Sequence, residues 1–379
     1  MISNIKRHIL KSSSYLVAKA GLSDRMMVGR DTVPQSIIST IRNGGRFPMP
    51  EDVQFEITMR CNLNCSMCHQ KQRRSDSQGD LATADILKII DNLKGARIRR
   101  VKLIGGEIFL RKDILEIISC LNRRQIGVSI TTNGTLLNES ILSGLGRCPN
   151  LLGMVFSIDG MEAEHDRIRR LDGCFRRTVQ NMRAAASFLP LTKVTCVLQE
   201  DNLKDVEQMI ANAKEWKAGI MAFLLESFST EQDIEATKSM LHGFGSVEFF
   251  LSASTRDHYG FVSEELVDVS RRIKRAAVKT GVISYLGPPA AALHPQSFHA
   301  GNILTQENKA TCGYLNKLII TESGDVLACP FINIQFGNLL QQDIEEIWNS
   351  EKIRTYRELF VTSGPFPICR RCCALTVVR

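Results

Sequence analysis

The sequence predicts an α/β protein: a parallel sheet with helices on its outside, bent into a partial (β/α)6 barrel. A basic helical extension precedes the barrel, and a small β-hairpin/helix unit rich in cysteine follows it. Three observations carry this expectation. Short apolar runs alternate with helical patterns from Val53 to Leu225, and strand–helix alternation argues for a parallel sheet covered by helices. Glycine-bearing turns close the runs, and in barrels of this kind the chemistry sits at the C-terminal strand ends. Cysteines fall in two sets, Cys61-x3-Cys65-x2-Cys68 behind the first run and Cys312, Cys329, Cys369, Cys372 and Cys373 near the C-terminus.

The expected strands are Val53–Thr58, Val101–Ile104, Gly127–Thr132, Leu151–Ile158, Lys193–Gln199 and Gly219–Leu225, six units in all. Between the first two, Ile86, Ile89, Ile90 and Leu93 stand at i, i+3, i+4, i+7, the pattern of a helix with one apolar face. Further on, Glu264–Thr280 reads as a helix, Leu286-Gly287-Pro288-Pro289 as a break, and His294–Ala300 as loop. Leu318–Thr321 and Val326–Ala328 read as a hairpin around Glu322-Ser323-Gly324-Asp325, and Asp343–Phe360 as one helix. The expected divisions are 1–50 (extension), 51–226 (core barrel), 227–310 (barrel completion and connection) and 311–379 (cysteine-bearing unit).

With 379 residues the chain is long enough for a large core and more than one domain. Its 44% hydrophobic and 23% charged residues are ordinary for a globular protein. No apolar run approaches the length of a membrane span, and Ser12, Ser13 and Ser14 interrupt the N-terminal apolar residues, so no secretory signal is read. Twelve clustered cysteines then argue for metal ligation in a reducing cytoplasm rather than a disulfide scaffold.

Six units of the +8 net charge belong to residues 1–46, where eight basic residues face two acidic ones. The remainder is nearly balanced, so a general nucleic-acid-binding surface is not indicated. Residues 2–22 and 34–42 fit helices, the first amphipathic and basic. Such a segment either packs on the catalytic domain with its charges in water or makes peripheral contact with an anionic inner-membrane surface.

Thiolates are soft ligands for zinc, copper(I) or iron–sulfur clusters. Structural zinc usually takes four ligands, so three cysteines in one loop fit a [4Fe–4S] cluster with one iron open to a small molecule. The alternatives are three unrelated loop cysteines, or zinc with His69 as its fourth ligand.

The C-x3-C-x2-C loop behind a strand, followed by Gly105-Gly106-Glu107, resembles the radical S-adenosylmethionine (SAM) superfamily from about Asp52 to Asn202. The resemblance implies that the open iron binds SAM, whose reductive cleavage yields a 5′-deoxyadenosyl radical that takes a hydrogen atom from the substrate. It implies an electron-donating partner such as flavodoxin or ferredoxin. Met67 stands where relatives carry an aromatic residue, and Ile108-Phe109 where they often carry Pro-Leu. By the same resemblance, Gly105, Gly106 and Glu107 meet the methionine amino group; Asn133, Ser157 and Asp159 lie around the ribose and carboxylate; and Arg169 holds the carboxylate. Relatives often have glycine where Arg170 stands here. Val197 and Leu198 line the adenine pocket in relatives and serve equally well as core.

The last cysteines resemble an auxiliary-cluster extension of the twitch or SPASM kind. This implies a second [4Fe–4S] cluster held by Cys312, Cys329, Cys369 and Cys372, with Cys373 as a substitute for Cys372 or a free thiol, and a four-cysteine zinc site as the alternative. Relatives of this layout oxidise or epimerise sugar-like and natural-product substrates, or crosslink and oxidise peptides. The expected function is oxidation or epimerisation of a small polar substrate, with maturation of a ribosomal peptide as the alternative and a non-enzymatic iron–sulfur or zinc protein as a third reading. Epimerisation needs a thiol hydrogen donor, and Cys373 is the candidate. Cys120, Cys148, Cys174 and Cys196 read as small apolar residues, and His258, His294 and His299 as surface or packed histidines.

Overall fold

The structure, a computed structural model, describes residues 47–76, 79–250, 261–303, 310–315 and 317–377. The expected N-terminal helices, the basic segment 1–46 and His258 lie outside the described residues. The chain opens with β1 (Asp52–Glu56), the cysteine loop, α1 (Lys71–Asp76) and α2 (Thr83–Gly95). There follow β2 (Arg100–Ile104), α3 (Ile114–Arg123), β3 (Gly127–Thr132), α4 (Glu139–Gly146), β4 (Leu151–Ser157), α5 (Glu162–Arg169) and α6 (Cys174–Ala185). Then come β5 (Thr192–Leu198), α7 (Val206–Asn212), β6 (Ile220–Leu225), α8 (Glu231–Met240), β7 (Glu248–Phe249), α9 (Ser263–Thr280) and β8 (Ile283–Gly287).

Strands β1 to β6 lie in sequence order and β8 pairs parallel to β6. Each outward residue enters one core with the helices. Val101, Leu103, Val128 and Ile130 share it with Ile86, Ile89, Ile90 and Leu93 of α2. Those four α2 side chains are fully buried, each contributing about 1.5–3 kcal/mol. The other face of each strand keeps accessible surface: β5 alternates buried and half-buried along its whole length. Parallel strands covered on both sides are usually apolar throughout. The alternation here means that the concave face is only partly covered.

The cysteine-bearing unit extends the same sheet. After β9 (Ala310–Cys312), strand β10 (Leu318–Ile320) pairs parallel to β1. Next, β11 (Asp325–Leu327), β12 (Ile332–Asn333) and β13 (Gln335–Asn338) complete the order β13-β11-β10-β1-β2-β3-β4-β5-β6-β8. The sheet is a ten-stranded open one with edges at β13 and β8, so the barrel is partial. Short pairs β7–β12 and β9–β14 (Leu375–Val377) stand apart from it.

Three expected elements change. The single helix 343–360 is two, α10 (Ile344–Trp348) and α11 (Glu351–Ser363). The break falls where the Asn349 side chain turns away to bond both backbone groups of Phe47, at 2.8 and 3.1 Å, and Ser350 caps α11. Residues 294–300, expected as loop, contain a helical turn over Pro295–His299, with proline at its favoured first position. Strand β8 has no counterpart among the expected strands. Its Ile283 to Gly287 lies between a helix C-cap glycine, Gly281, and the proline pair that made the stretch look irregular.

Candidate active site

The cysteine loop leaves the C-terminal end of β1 and is pinned from below. Gly106 N donates to Thr58 O, and Glu107 N to Arg60 O, both at 2.8 Å. A Cβ at Gly105 would collide with the Thr58 carbonyl, and one at Gly106 with the Arg60 carbonyl. The two glycines are therefore the condition for the backbone after β2 to pass directly beneath the loop. Arg111 fixes the same junction, donating to Ile57 O at 3.1 Å and Leu81 O at 3.0 Å while paired with Asp113.

The fold brings Cys61, Cys65 and Cys68 together in a small apolar patch with Leu63, Met67, Leu171 and Cys174, separate from the main core. Each sulfur has a donor. Leu63 N reaches Cys61 Sγ at 3.5 Å, Arg169 Nη1 reaches Cys65 Sγ at 3.7 Å, and Arg74 Nη2 reaches Cys68 Sγ at 3.3 Å. Burial pushes the Cys61 thiol up, so a thiolate there needs positive charge beside it. Three sulfurs, two guanidiniums and an N–H form a donor set that fits an anionic iron–sulfur cluster. His69 packs its ring against Phe331, with centroids 5.4 Å apart. Arg74 has no signature in the spacing, and neither has Arg73, which donates to Glu56 at 2.6 Å and Glu322 at 3.3 Å, tying this loop to the β10–β11 hairpin.

Glu107 is fully buried and accepts from Thr132 Oγ1 and Asn133 N at 2.8 Å each and from Phe109 N at 3.3 Å. Burial dominates over these bonds and pushes its carboxyl up to about 7. Such a group favours folding most when protonated, below its ordinary value, and that stability is lost as pH rises through about 7. An ammonium group beside it reverses the preference. SAM affinity is therefore expected to weaken by up to about tenfold per pH unit below 7 and to level off above it. Equilibrium binding to the reconstituted protein between about pH 6 and 8.5 checks this, and the slope is expected to vanish in Glu107→Gln.

Asp159 and Arg169 form a buried ion pair. Burial opposes the Arg169 charge, but Asp159 and the Cys65 sulfur more than offset it and hold the guanidinium above its ordinary value. Its Nε is buried with no hydrogen-bond acceptor among the described residues, a donor left for a ligand carboxylate. Asp159 Oδ1 accepts from Val197 N at 2.8 Å. Arg170, directly after Arg169, has φ 56° and ψ 42° and ends α5 in the left-handed conformation. That conformation accounts for a preference for glycine at this position and agrees with the register that puts Arg169 beside Cys65.

The Asn133 amide is engaged within the protein: Nδ2 donates to Asn62 Oδ1 at 3.0 Å, and Oδ1 accepts from Thr135 N and Oγ1 at 2.9 and 2.7 Å. Its position therefore ties β3 to the cysteine loop. Ser157 lies half-buried on the concave face of β4, in register with Thr195. Leu198 is buried in the main core, while Val197 is half-buried on the concave face. Arg167 is exposed and paired with Glu164 and Asp201.

His165, Asp166 and Cys174 have ligand-type atoms within 4.8 Å of one another. All are already committed. His165 Nδ1 accepts from Asp159 N at 3.0 Å, which leaves the proton on Nε2 to donate to Cys174 Sγ at 3.3 Å. Asp166 accepts from Gly173 N and Phe175 N at 2.7 Å each. The trio orients Asp159, and through it Arg169. Cys120 and Cys196 are buried in the main core, and Cys148 packs against it. His299 Nε2 donates to Phe261 O at 2.8 Å, and His294 sits between two short helical turns, Pro289–Leu293 and Pro295–His299.

The second cysteine set is assembled by strand pairing. β14 sets Leu375 opposite Cys312, which brings the 369–373 turn to β9, and Cys329 follows β11 by two residues. Tyr314 N, Phe331 N and Ala374 N donate to the sulfurs of Cys312, Cys329 and Cys372 at 3.3, 3.4 and 3.4 Å. Leu63 N makes the same two-residue bond to Cys61. Burial pushes the Cys312 thiol up to about 11 and Cys329 to about 12, so binding of a metal cluster there must displace protons. Cys373 N donates to Ser227 Oγ at 2.7 Å, and its thiol interacts with those of Cys372 and Cys312 and with Lys102 of β2.

Residues 55–213 match the model of the radical SAM superfamily, and residues 312–373 match that of the SPASM iron–sulfur cluster-binding domain. The AdoMet-dependent heme synthase of Methanosarcina barkeri is 26% identical over 339 residues, 86% of this chain and 90% of that one. The PqqA peptide cyclase of Gluconobacter oxydans is 26% identical over 307 residues, 79% of this chain and 76% of that one. Among solved structures, Streptococcus suis SuiB bound to its precursor peptide SuiA superposes with a TM-score of 0.64 at 14% identity, covering 88% of this chain and 73% of that one. At that identity the likeness is one of fold.

Proposed function

The chain belongs to the radical SAM superfamily and carries a SPASM domain, with a SAM-binding [4Fe–4S] cluster and an auxiliary cluster, and from this premise we propose that it oxidises a ribosomal peptide. The similarity to the PqqA peptide cyclase over 79% of the chain carries this reading, because that relative acts on a peptide. A small polar substrate, oxidised or epimerised, is the second reading. The heme synthase, which aligns with 86% of the chain, supports it only in that its substrate is not a peptide. Among the described residues no helix is long and apolar enough to cross a membrane.

When bound, the first cluster with SAM would supply hydrogen-atom abstraction from an unactivated carbon, and the auxiliary cluster one-electron oxidation. The residues of the chain would do the rest. Cys61, Cys65 and Cys68 would hold the first cluster. Glu107 would receive the SAM ammonium and Arg169 its carboxylate, with Asp159 and His165 fixing the guanidinium. Ser157 would meet the nucleoside. Cys312, Cys329, Cys369 and Cys372 would hold the auxiliary cluster, and Cys373 would be the thiol available to an epimerase. The open concave face receives the substrate away from water.

The test incubates the reduced, reconstituted protein with SAM and short peptides encoded beside its gene, and separately with small polyhydroxy substrates. A peptide that raises 5′-deoxyadenosine formation and emerges lighter by two hydrogens supports the peptide reading. Stimulation by small molecules alone replaces it with the second.

A further inference from the structure

We propose that the barrel interior holds an anionic group of the substrate, a carboxylate or a phosphate, between Lys102 and Lys193. The proposal rests on the reading of this chain as a radical SAM enzyme, and names a chemical feature of what it acts on.

Both lysines stand on the concave face. Lys102 alternates on β2 with Val101 and Leu103, which belong to the helix-covered core, so it points the other way. It is in register with Gln54 on one side and Ser129 on the other. Lys193 alternates on β5 with Thr192 and Val194, both buried, and is in register with Val155. Lys193, Lys317 and Cys373 all lie near enough for their charge to act on Lys102. Lys193 is held in place by the Tyr285 hydroxyl of β8, to which its Nζ donates at 2.6 Å.

These charges are unbalanced. No ion pair among the described residues includes Lys102, Lys193 or Lys317. The acidic side chains on the same face of the neighbouring β1 are both taken, Asp52 by Arg100 and Glu56 by Arg73. Lys102 is exposed, while Val101 and Leu103 beside it are essentially fully buried. Like charges on one accessible face of the sheet, with no acidic partner among the described residues, are suited to an anion that arrives from outside. The place fits a substrate as well. Ser157 and Glu107 mark the strand ends beside the cysteine loop, and the interaction of Lys102 with Cys373 reaches to the auxiliary set. An anion held here puts its carbon skeleton between the two.

The competing account is that Lys102 serves only to balance the charge of the auxiliary cluster. The experiment separates them without using turnover. Reconstituted, SAM-bound protein is acetylated with N-hydroxysuccinimidyl acetate, and each lysine is quantified by mass spectrometry with glutarate, inorganic phosphate or uncharged glutaramide present. Near saturation, glutarate or phosphate is expected to protect Lys102 and Lys193 roughly tenfold. The exposed Lys112 and Lys279 should be unchanged, as should every lysine with glutaramide. Protection by glutarate alone assigns a carboxylate, by phosphate alone a phosphate ester. In Lys193→Met the protection of Lys102 should fall. If neither anion protects, or if Lys102→Met shifts only the potential of the auxiliary cluster, the anion site is overturned. The same preparation is assayed for 5′-deoxyadenosine, so that absence of SAM cleavage counts against the enzyme reading and absence of protection against this one.

Discussion

Cys65→Ala is expected to abolish 5′-deoxyadenosine formation and to lower the bound iron from about eight atoms per chain to about four. Cys65 is the most enclosed of its three-cysteine set, and its sulfur is the one that Arg169 Nη1 approaches at 3.7 Å. Alanine there removes one of three ligands from a cluster that has no fourth. It also leaves a buried guanidinium with only Asp159 for its charge. The loss of activity should be complete, not graded, because an iron that is not held cannot offer SAM a coordination site. Iron analysis and the visible absorbance of the anaerobic protein, with product quantified by chromatography, check the result. Full SAM cleavage by this variant would mean that the cysteine loop does not hold the reactive cluster.

Cys329→Ala is expected to separate two functions that Cys65→Ala removes together. Iron should again fall to about four atoms per chain, yet slow SAM cleavage without substrate should persist, because β1 and the cysteine loop are untouched. Formation of an oxidised product should drop by at least about 10³-fold if the auxiliary cluster takes the second electron. The variant should also be markedly less stable. Cys312, Cys329 and the 369–373 turn come from three separate segments, and the pairing that brings the turn to Cys312, β9–β14, is only three residues long. A metal centre between them acts as a crosslink whose binding energy is folding energy. Limited proteolysis should therefore cut first after β8, while the segment from β1 to β6 resists. A variant that keeps both its product and its stability would leave the second cysteine set without a role.

Some of this molecule could be read from neighbours along the chain. The spacing of Cys61, Cys65 and Cys68, the glycines before Glu107 and the closing Cys369-x2-Cys372 pair are local patterns, since a loop that grips a cluster needs its ligands a few residues apart. Strand ends and the α2 stripe are legible for the same reason: a period of two or of 3.6 is written in adjacent residues. The break between α10 and α11 was not, because it depends on Asn349 meeting Phe47, which is 302 positions away. Strand β8 was hidden by the prolines that follow it, although its pairing with β6 is regular.

The sequence by itself determined the chemistry: two sets of soft ligands, one behind the first strand and one at the end of the chain, on a frame of alternating strands and helices. Only the tertiary structure decided what surrounds them. It set Arg74 and Arg169 on the cysteine sulfurs, closed His165 onto Cys174 and Asp159, and put Lys102 and Lys193 on the same concave face of the sheet. The physical reason is range. Ligand spacing is limited by the reach of a short loop, whereas the electrostatics of an interior depend on which distant strands lie side by side, and no residue carries that information alone.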